Sequence, residues 1–298
     1  MIRRIMFVVI TEMNSHLIYA KVDAALILKT LINKTVVILL KLACIQMNIL
    51  YGEPDQNYIK AENYIKKAAA SKSDIIILPE MWNTGYALDQ LESIADKDGI
   101  QTKQMLSRLS KAYSINIVGG SVATKKGNQF YNTMYVSDRS GEIIAEYDKT
   151  HLFKLMNEHL YMSPGQSANL FKLDGIICGG VICYDLRFPE WIRTHVLQGA
   201  KIIFIPAEWP AKRIDHWQLL LQARAIENQC FVVAVNRVGA DPGNEFNGHS
   251  MVIAPWGEKL LSGQIAERIY YAELDLNEVD RVRKTIPVFQ DRRTDLYS

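Results

Sequence analysis

The sequence predicts an α/β protein built on mixed sheets, and three observations carry that expectation. Short, continuously apolar runs alternate with segments whose apolar residues recur at helical spacing, the pattern of strands joined by helices. Two stretches, 115–148 and 250–274, instead set strand after strand with no helix between them, which argues for antiparallel pairs in the sheet. The chain is also long enough for a large core: 298 residues, 49% hydrophobic and 22% charged.

Each element follows from its local pattern. Residues 36–47 form an apolar, β-branched run with no alternation, as a strand buried on both faces requires. Gly52-Glu53-Pro54 then opens a helix in which Tyr58, Ala61, Ile65, Ala68 and Ala69 recur on one face up to Ser71. A short apolar strand, 74–78, is stopped by Pro79. A second helix is expected over 102–113, then strands at 115–122, 131–136 and 143–147. Strands at 176–183 and 202–205 flank a helix at 189–198, and a helix at 214–229 leads into a strand at 230–235. Strands at 250–254 and 269–274, a helix at 277–284 and an irregular tail complete the chain. No linker, repeat or composition break interrupts 37–298, which reads as one domain.

Residues 1–36 read differently. They lack Gly and Pro, and the apolar stretch after Met1-Ile2-Arg3-Arg4 ends at Thr11-Glu12, short for a signal peptide and with no small-residue cleavage site behind it. We expect an N-terminal extension here, poorly ordered or upstream of the true start. Charge is uneven as well. Residues 1–41 carry a surplus of four positive charges, so the remaining 257 residues are faintly acidic at −2 within a net +2. A nucleic-acid partner needs a basic face, and none is expected. No uncharged apolar run approaches the ~18 residues of a membrane span. Four scattered cysteines, Cys44, Cys178, Cys183 and Cys230, form no disulfide framework or C-x-x-C pair, which fits a reducing, cytoplasmic setting.

Candidate chemistry concentrates where strands end. Cys183 follows an apolar strand and precedes Tyr184-Asp185-Leu186-Arg187-Phe188-Pro189-Glu190, which opens a helix. A thiol on such a turn lies near backbone N–H groups and the positive end of a helix, both of which stabilise a thiolate. Cys178 is five positions away, so on a regular strand it faces the other side. Glu80 follows Pro79 at the end of its strand, where desolvation would suit a general base. Lys149 follows the strand 143–147, and Glu158 lies nine residues on in an expected loop. Taken singly, each has a plain structural alternative: a core thiol, a turn acid or cap, a surface ammonium and a loop acid. The six histidines offer no metal-ligand spacing, and phosphate-loop, dinucleotide and serine-elbow motifs are absent from the sequence, so no metal or cofactor is expected.

Together these segments resemble the nitrilase, or carbon–nitrogen hydrolase, superfamily. Leu78-Pro79-Glu80-Met81-Trp82 with Thr84-Gly85-Tyr86 is similar to its glutamate motif. Tyr147-Asp148-Lys149-Thr150-His151-Leu152-Phe153 is similar to its lysine motif, and the run from Cys183 to Glu190 to its cysteine motif. Glu158 fits the second-glutamate motif ahead of Tyr161 and Pro164-Gly165, with Met162 where an aromatic is common. Gln222-Ala223-Arg224-Ala225-Ile226-Glu227-Asn228 also looks like a family signature. The resemblance runs from about Leu42 to the C-terminus. It implies a four-layer α-β-β-α sandwich that pairs as a homodimer and hydrolyses amides at a Glu80–Lys149–Cys183 site through a thioester, with Glu158 orienting Lys149. Its omega-amidase-like branch implies a small carboxylate-bearing amide, 2-oxoglutaramate above all. The Tyr184 backbone N–H would help hold the oxyanion, Arg187 would bind the carboxylate or form a structural ion pair with Asp185 or Glu190, and Trp209 would wall the pocket or sit in the core. N-carbamoyl-amine hydrolysis, deaminated-glutathione hydrolysis and an inactive scaffold are the alternatives.

Overall fold

In the computed structural model of the protein, residues 39–297 are described. The extension expected at 1–36 lies outside them. The first strand, β1 (Leu39–Gln46), already explains the layering. Its residues Leu40, Leu42 and Cys44 belong to one apolar cluster, and Ala43 and Ile45 to another. Side chains alternate along a strand, so both faces of β1 are buried, as its apolar run from Leu42 to Ile45 requires.

The chain continues through α1 (Pro54–Ala70), β2 (Ile75–Ile77), α2 (Leu91–Ile94), β3 (Asp96–Lys97), α3 (Ile100–Tyr113), β4 (Asn116–Val118), β5 (Val122–Lys126), β6 (Gln129–Ser137) and β7 (Ile143–Asp148). After α4 (Glu158–Tyr161) come β8 (Leu170–Leu173), β9 (Ile176–Gly180), α5 (Pro189–Leu197), β10 (Ile202–Ala207), α6 (Ile214–Asn228) and β11 (Phe231–Asn236). The last elements are β12 (Val238–Ala240), β13 (Glu245–Asn247), β14 (Met251–Ile253), β15 (Lys259–Ser262), β16 (Arg268–Asp275) and α7 (Asn277–Thr285). One sheet runs β16-β1-β2-β4-β6-β5-β3 with β7 added on β6, and a second runs β15-β14-β11-β10-β9-β8. Both are mixed: β1, β2 and β4 are parallel, as are β9, β10 and β11, with antiparallel strands beside them.

Four layers result. Tyr58, Ala61 and Ile65 of α1 and Leu106 and Leu109 of α3 pack on the outer face of the first sheet. The larger cluster joins the inner face of that sheet (Leu42, Ile77, Val136) to the second sheet (Cys178, Phe204, Val233), and continues to Ile192 of α5 and Trp217 and Leu221 of α6. This is the α-β-β-α sandwich.

Some elements differ from the sequence expectation. The strand expected at 115–122 is two strands, parted at Gly119-Gly120, where Gly120 has φ of +61°. A Cβ on Gly119 would strike Leu106, and one on Gly120 the Pro79 carbonyl. The pair therefore marks close packing, but between strands. In the C-terminal region β14 pairs with an unexpected neighbour, β15, and β16 joins the other sheet beside β1. Glu158 begins the one-turn helix α4 rather than lying in a loop. The strand before Cys183 stops at Gly180, and Cys183 starts a 3-10 turn, Cys183–Arg187, with α5 beginning only at Pro189. The expected α-helix N-terminus therefore lies six residues beyond the thiol.

Candidate active site

Parallel strands deliver their C-terminal ends to one edge of a sheet, and the loops leaving that edge are where a site is built. Glu80 leaves β2, Cys183 leaves β9, Glu208 and Trp209 leave β10, and Lys149 leaves β7. The Glu80 loop is pinned to the neighbouring loop. The Met81 amide donates to Ser121 Oγ at 3.0 Å, the Ser121 amide to the Pro79 carbonyl at 3.1 Å, and the Trp82 indole to the Gly119 carbonyl at 2.7 Å. Residues following Glu80 therefore have little freedom.

The Cys183 turn is held by Asp185. Its carboxylate accepts from the Ile182 amide at 2.9 Å, the Tyr147 hydroxyl at 2.8 Å and the His151 amide at 3.0 Å, and lies 2.7 Å from His151 Nδ1. One buried acid thus ties the turn bearing Cys183 to the strand end bearing Lys149. Cys183 itself has φ of +44°. Left-handed backbone at a residue with a Cβ costs on the order of 1–2 kcal/mol, and it survives only where the surroundings enforce it.

Four side chains, all buried, converge: Glu80, Lys149, Glu158 and Cys183. Lys149 Nζ donates to Glu80 Oε1 at 2.8 Å, to Glu158 Oε2 and Oε1 at 2.8 and 3.0 Å, and to the Tyr86 hydroxyl at 3.1 Å. Glu80 Oε1 also accepts from Tyr86 and from the Asn132 amide, each at 2.8 Å, while its Oε2 accepts the Glu208 N–H at 2.7 Å. Glu158 accepts further from Asn132 at 3.0 Å and from the Phe153 amide at 2.7 Å. The Cys183 thiol lies within the electrostatic reach of the Glu80 carboxylate and the Lys149 ammonium. Glu208, one step beyond, accepts from Arg237 Nη1 at 2.9 Å.

The electrostatics follow from burial and partners. Burial would lower Lys149, but Glu158 and Glu80 beside it outweigh burial and hold the ammonium well above its ordinary value. Burial would raise Glu80, but the Lys149 charge and the Glu208 and Tyr86 donors outweigh that and keep it below the ordinary carboxyl value. Burial, with the negative charge of Glu80 behind it, raises the Cys183 thiol well above the usual range. For Glu158, burial and the repulsion from Glu80 outweigh Lys149 and raise it. Burial likewise pushes Glu208 up to about 8 despite Arg237. The resting arrangement is a neutral thiol near an ionised carboxylate and an ammonium, a base placed to take the thiol proton.

Above the thiol lies a narrow pocket of about 10 Å3 lined by Phe153, Cys183, Tyr184, Arg187, Trp209, Pro210 and Arg213. All three expected binding residues are therefore at its wall. Trp209 is also core, with its ring 5.4 Å from Trp217, so both readings of it hold. Arg187 pairs with neither Asp185 nor Glu190; its Nη2 lies 3.3 Å from the His216 ring nitrogen and its guanidinium 4.7 Å over Trp209. Sequence reasoning did not single out Tyr86, Asn132, Asp185, Glu208 or Arg213. Tyr86 and Asp185 stood inside the quoted motifs, and Asn132 was a polar residue within an apolar strand. Glu208 and Arg213, flanking Trp209, carried no signal of their own.

The carbon-nitrogen hydrolase family pattern matches residues 41–284. A 2-oxoglutaramate amidase from Bacillus subtilis is 52% identical over 86% of this chain and 98% of its own length. The human omega-amidase NIT2 is 33% identical over 87% of this chain and 96% of its own. Among solved structures, the CN-hydrolase superfamily protein XC1258 from Xanthomonas campestris superposes with a TM-score of 0.80 at 27% identity, covering 86% of this chain and 97% of that one.

Proposed function

This chain belongs to the carbon–nitrogen hydrolase family, and from that premise we propose that it is an omega-amidase that hydrolyses 2-oxoglutaramate to the dicarboxylic keto acid and ammonia through a thioester on Cys183. The observation that carries the reading is the convergence of one thiol, one ammonium and two carboxylates beneath a pocket walled by guanidinium groups.

The chemistry follows from the protonation states. Glu80, ionised, takes the thiol proton, and the sulfur attacks the carboxamide carbon. The carbonyl oxygen becomes an oxyanion, held by the Lys149 ammonium and the Tyr184 backbone N–H. In the free protein the three Lys149 protons serve four acceptors, of which Tyr86 at 3.1 Å is the most distant, so the oxyanion displaces that contact. Preorganised donors of this kind contribute on the order of 3–4 kcal/mol each to the transition state. Glu80 then gives its proton to the departing nitrogen, leaving a thioester and ammonia. Water, deprotonated by Glu80, attacks the thioester and releases the acid and the thiol. Glu158 keeps Lys149 charged and aimed.

Two findings favour the omega-amidase reading over its alternatives. The pocket wall carries Arg187 and Arg213 and no acid, which suits an anionic substrate and disfavours a carbamoylated amine. The relatives named as 2-oxoglutaramate amidase and omega-amidase match along nearly their whole lengths. The same reading takes residues 37–298 as the catalytic domain with 1–36 as an extension. It takes the protein as a cytoplasmic homodimer working on a small amide, with no cofactor, nucleic acid or membrane partner. Four unpaired, buried cysteines support the reducing setting.

The test is ammonia release by purified protein. We expect turnover of 2-oxoglutaramate far above that of N-carbamoyl amines or of a deaminated glutathione. No ammonia from 2-oxoglutaramate alongside turnover of a carbamoyl compound would overturn the reading.

A further inference from the structure

We infer that Arg213 is a second specificity-determining residue, which with Arg187 forms a two-guanidinium clamp selecting amides whose far end is a carboxylate. The inference rests on the amidase reading and deepens it, because that reading used only Arg187.

Arg213 ends the 3-10 turn Ala211–Arg213 that leads into α6, well away in sequence from the Cys183 turn. It nevertheless lines the same pocket as Arg187 and Cys183. Both guanidiniums are held by aromatic faces: Arg187 lies 4.7 Å over Trp209, and Arg213 lies 5.4 Å over Phe153. The Trp209 indole N–H also donates to the Arg213 carbonyl at 2.7 Å, so one buried ring fixes the stacking partner of Arg187 and the backbone of Arg213 together. Stacking leaves the planar edge of a guanidinium, with its N–H donors, free to receive an anion.

A missing counter-charge, which Arg193 and Arg283 share while bonding backbone carbonyls, is joined in Arg187 and Arg213 by a place on the wall over Cys183. Arg108, Arg139, Arg224 and Arg237 each pair with a carboxylate. Among the described residues neither Arg187 nor Arg213 does. The polar side-chain partner of Arg187 among those residues is the His216 ring nitrogen, and the nearby Arg213 charge adds to burial, the main cause, in depressing its basicity. Two half-buried cations without an anion are unfavourable when the pocket is empty and favourable once it holds one. A carboxylate accepts through two oxygens, and a neighbouring keto oxygen adds a third acceptor, matching the donors of two forks. The substrate class that follows is a short amide ending in a carboxylate, with a 2-oxo acid as its best member.

The test compares kcat/KM for 2-oxoglutaramate with kcat/KM for the neutral pentanamide, in the native enzyme and in Arg213→Gln. The ratio is expected to fall on the order of 10- to 100-fold, as loss of a charge-assisted contact dictates. A ratio within about twofold of the native value, including the case where both substrates lose equally, overturns the clamp. If Arg213→Gln does not fold, Arg213→Lys carries the same comparison. A point charge in place of the fork should lower the ratio less, and an unaltered ratio counts against the inference. Should the native enzyme ignore 2-oxoglutaramate, the amidase reading fails first. Succinamate against butanamide then tests the clamp on its own.

Discussion

The floor and the wall of the pocket hold charge in opposite ways. On the floor, Lys149 is flanked by Glu80 and Glu158, and a second pair, Arg237 with Glu208, stands behind them; each charge has its opposite within hydrogen-bond reach. On the wall, Arg187 and Arg213 have aromatic rings beneath them and no carboxylate beside them. The closed set can be buried because it is mutually satisfied. The open set is left for the ligand to complete. Catalysis and selection are thus separable in this molecule, and the comparison can be broken at either end.

The largest effect is expected from opening the closed set. Lys149→Met leaves Glu80 and Glu158 facing each other in a buried site, and removing one partner of a buried ion pair costs about 3–5 kcal/mol of stability. The same change deletes the main oxyanion donor and should lower kcat by at least about 10^2- to 10^3-fold. Denaturant unfolding and single-turnover kinetics measure the two losses. A variant as stable as the native protein would show that the floor is not electrostatically closed.

A smaller effect tests the protonation pattern. Lys149 and Cys183 are both raised, so neither loses its proton as pH rises through neutrality, and Glu80 is held low, so it stays ionised as pH falls. None of these three groups should therefore give kcat/KM a limb near neutrality, and a limb seen there belongs to a group raised toward it, Glu158 or Glu208. On the acid side Glu158, whose value is raised, takes a proton first and loosens Lys149. Glu158→Gln should slow the enzyme and move the acid limb to lower pH, toward the depressed Glu80. A pH–rate profile whose acid limb stays in place would assign that limb to another group.

The legible part of the molecule was the part written in contiguous residues. Apolar runs located β1, β2, β10 and β11 because strands buried on both faces cannot hide their pattern, and the motifs around Glu80, Lys149 and Cys183 sit where β2, β7 and β9 stop. Short edge strands such as β3 and β15, with two and four residues, carry too little pattern to be seen. The paired Gly119-Gly120 looked like part of a strand because its reason, the approach of the Pro79 carbonyl and Leu106, comes from elsewhere in the chain. Asp185 stood inside a recognised motif, yet its task of tying the Cys183 turn to Tyr147 and His151 depends on residues more than thirty positions away. Arg213 could be found only after folding, because what distinguishes it is its place beside Arg187 on the wall over Cys183.

The central claim is that Cys183 carries the acyl group, and intact-protein mass spectrometry of the enzyme quenched during turnover of 2-oxoglutaramate tests it most directly. A covalent adduct equal to the amide less ammonia is expected on the peptide containing Cys183, and neither adduct nor ammonia from Cys183→Ala. An adduct on another residue, or steady ammonia release by Cys183→Ala, would contradict it.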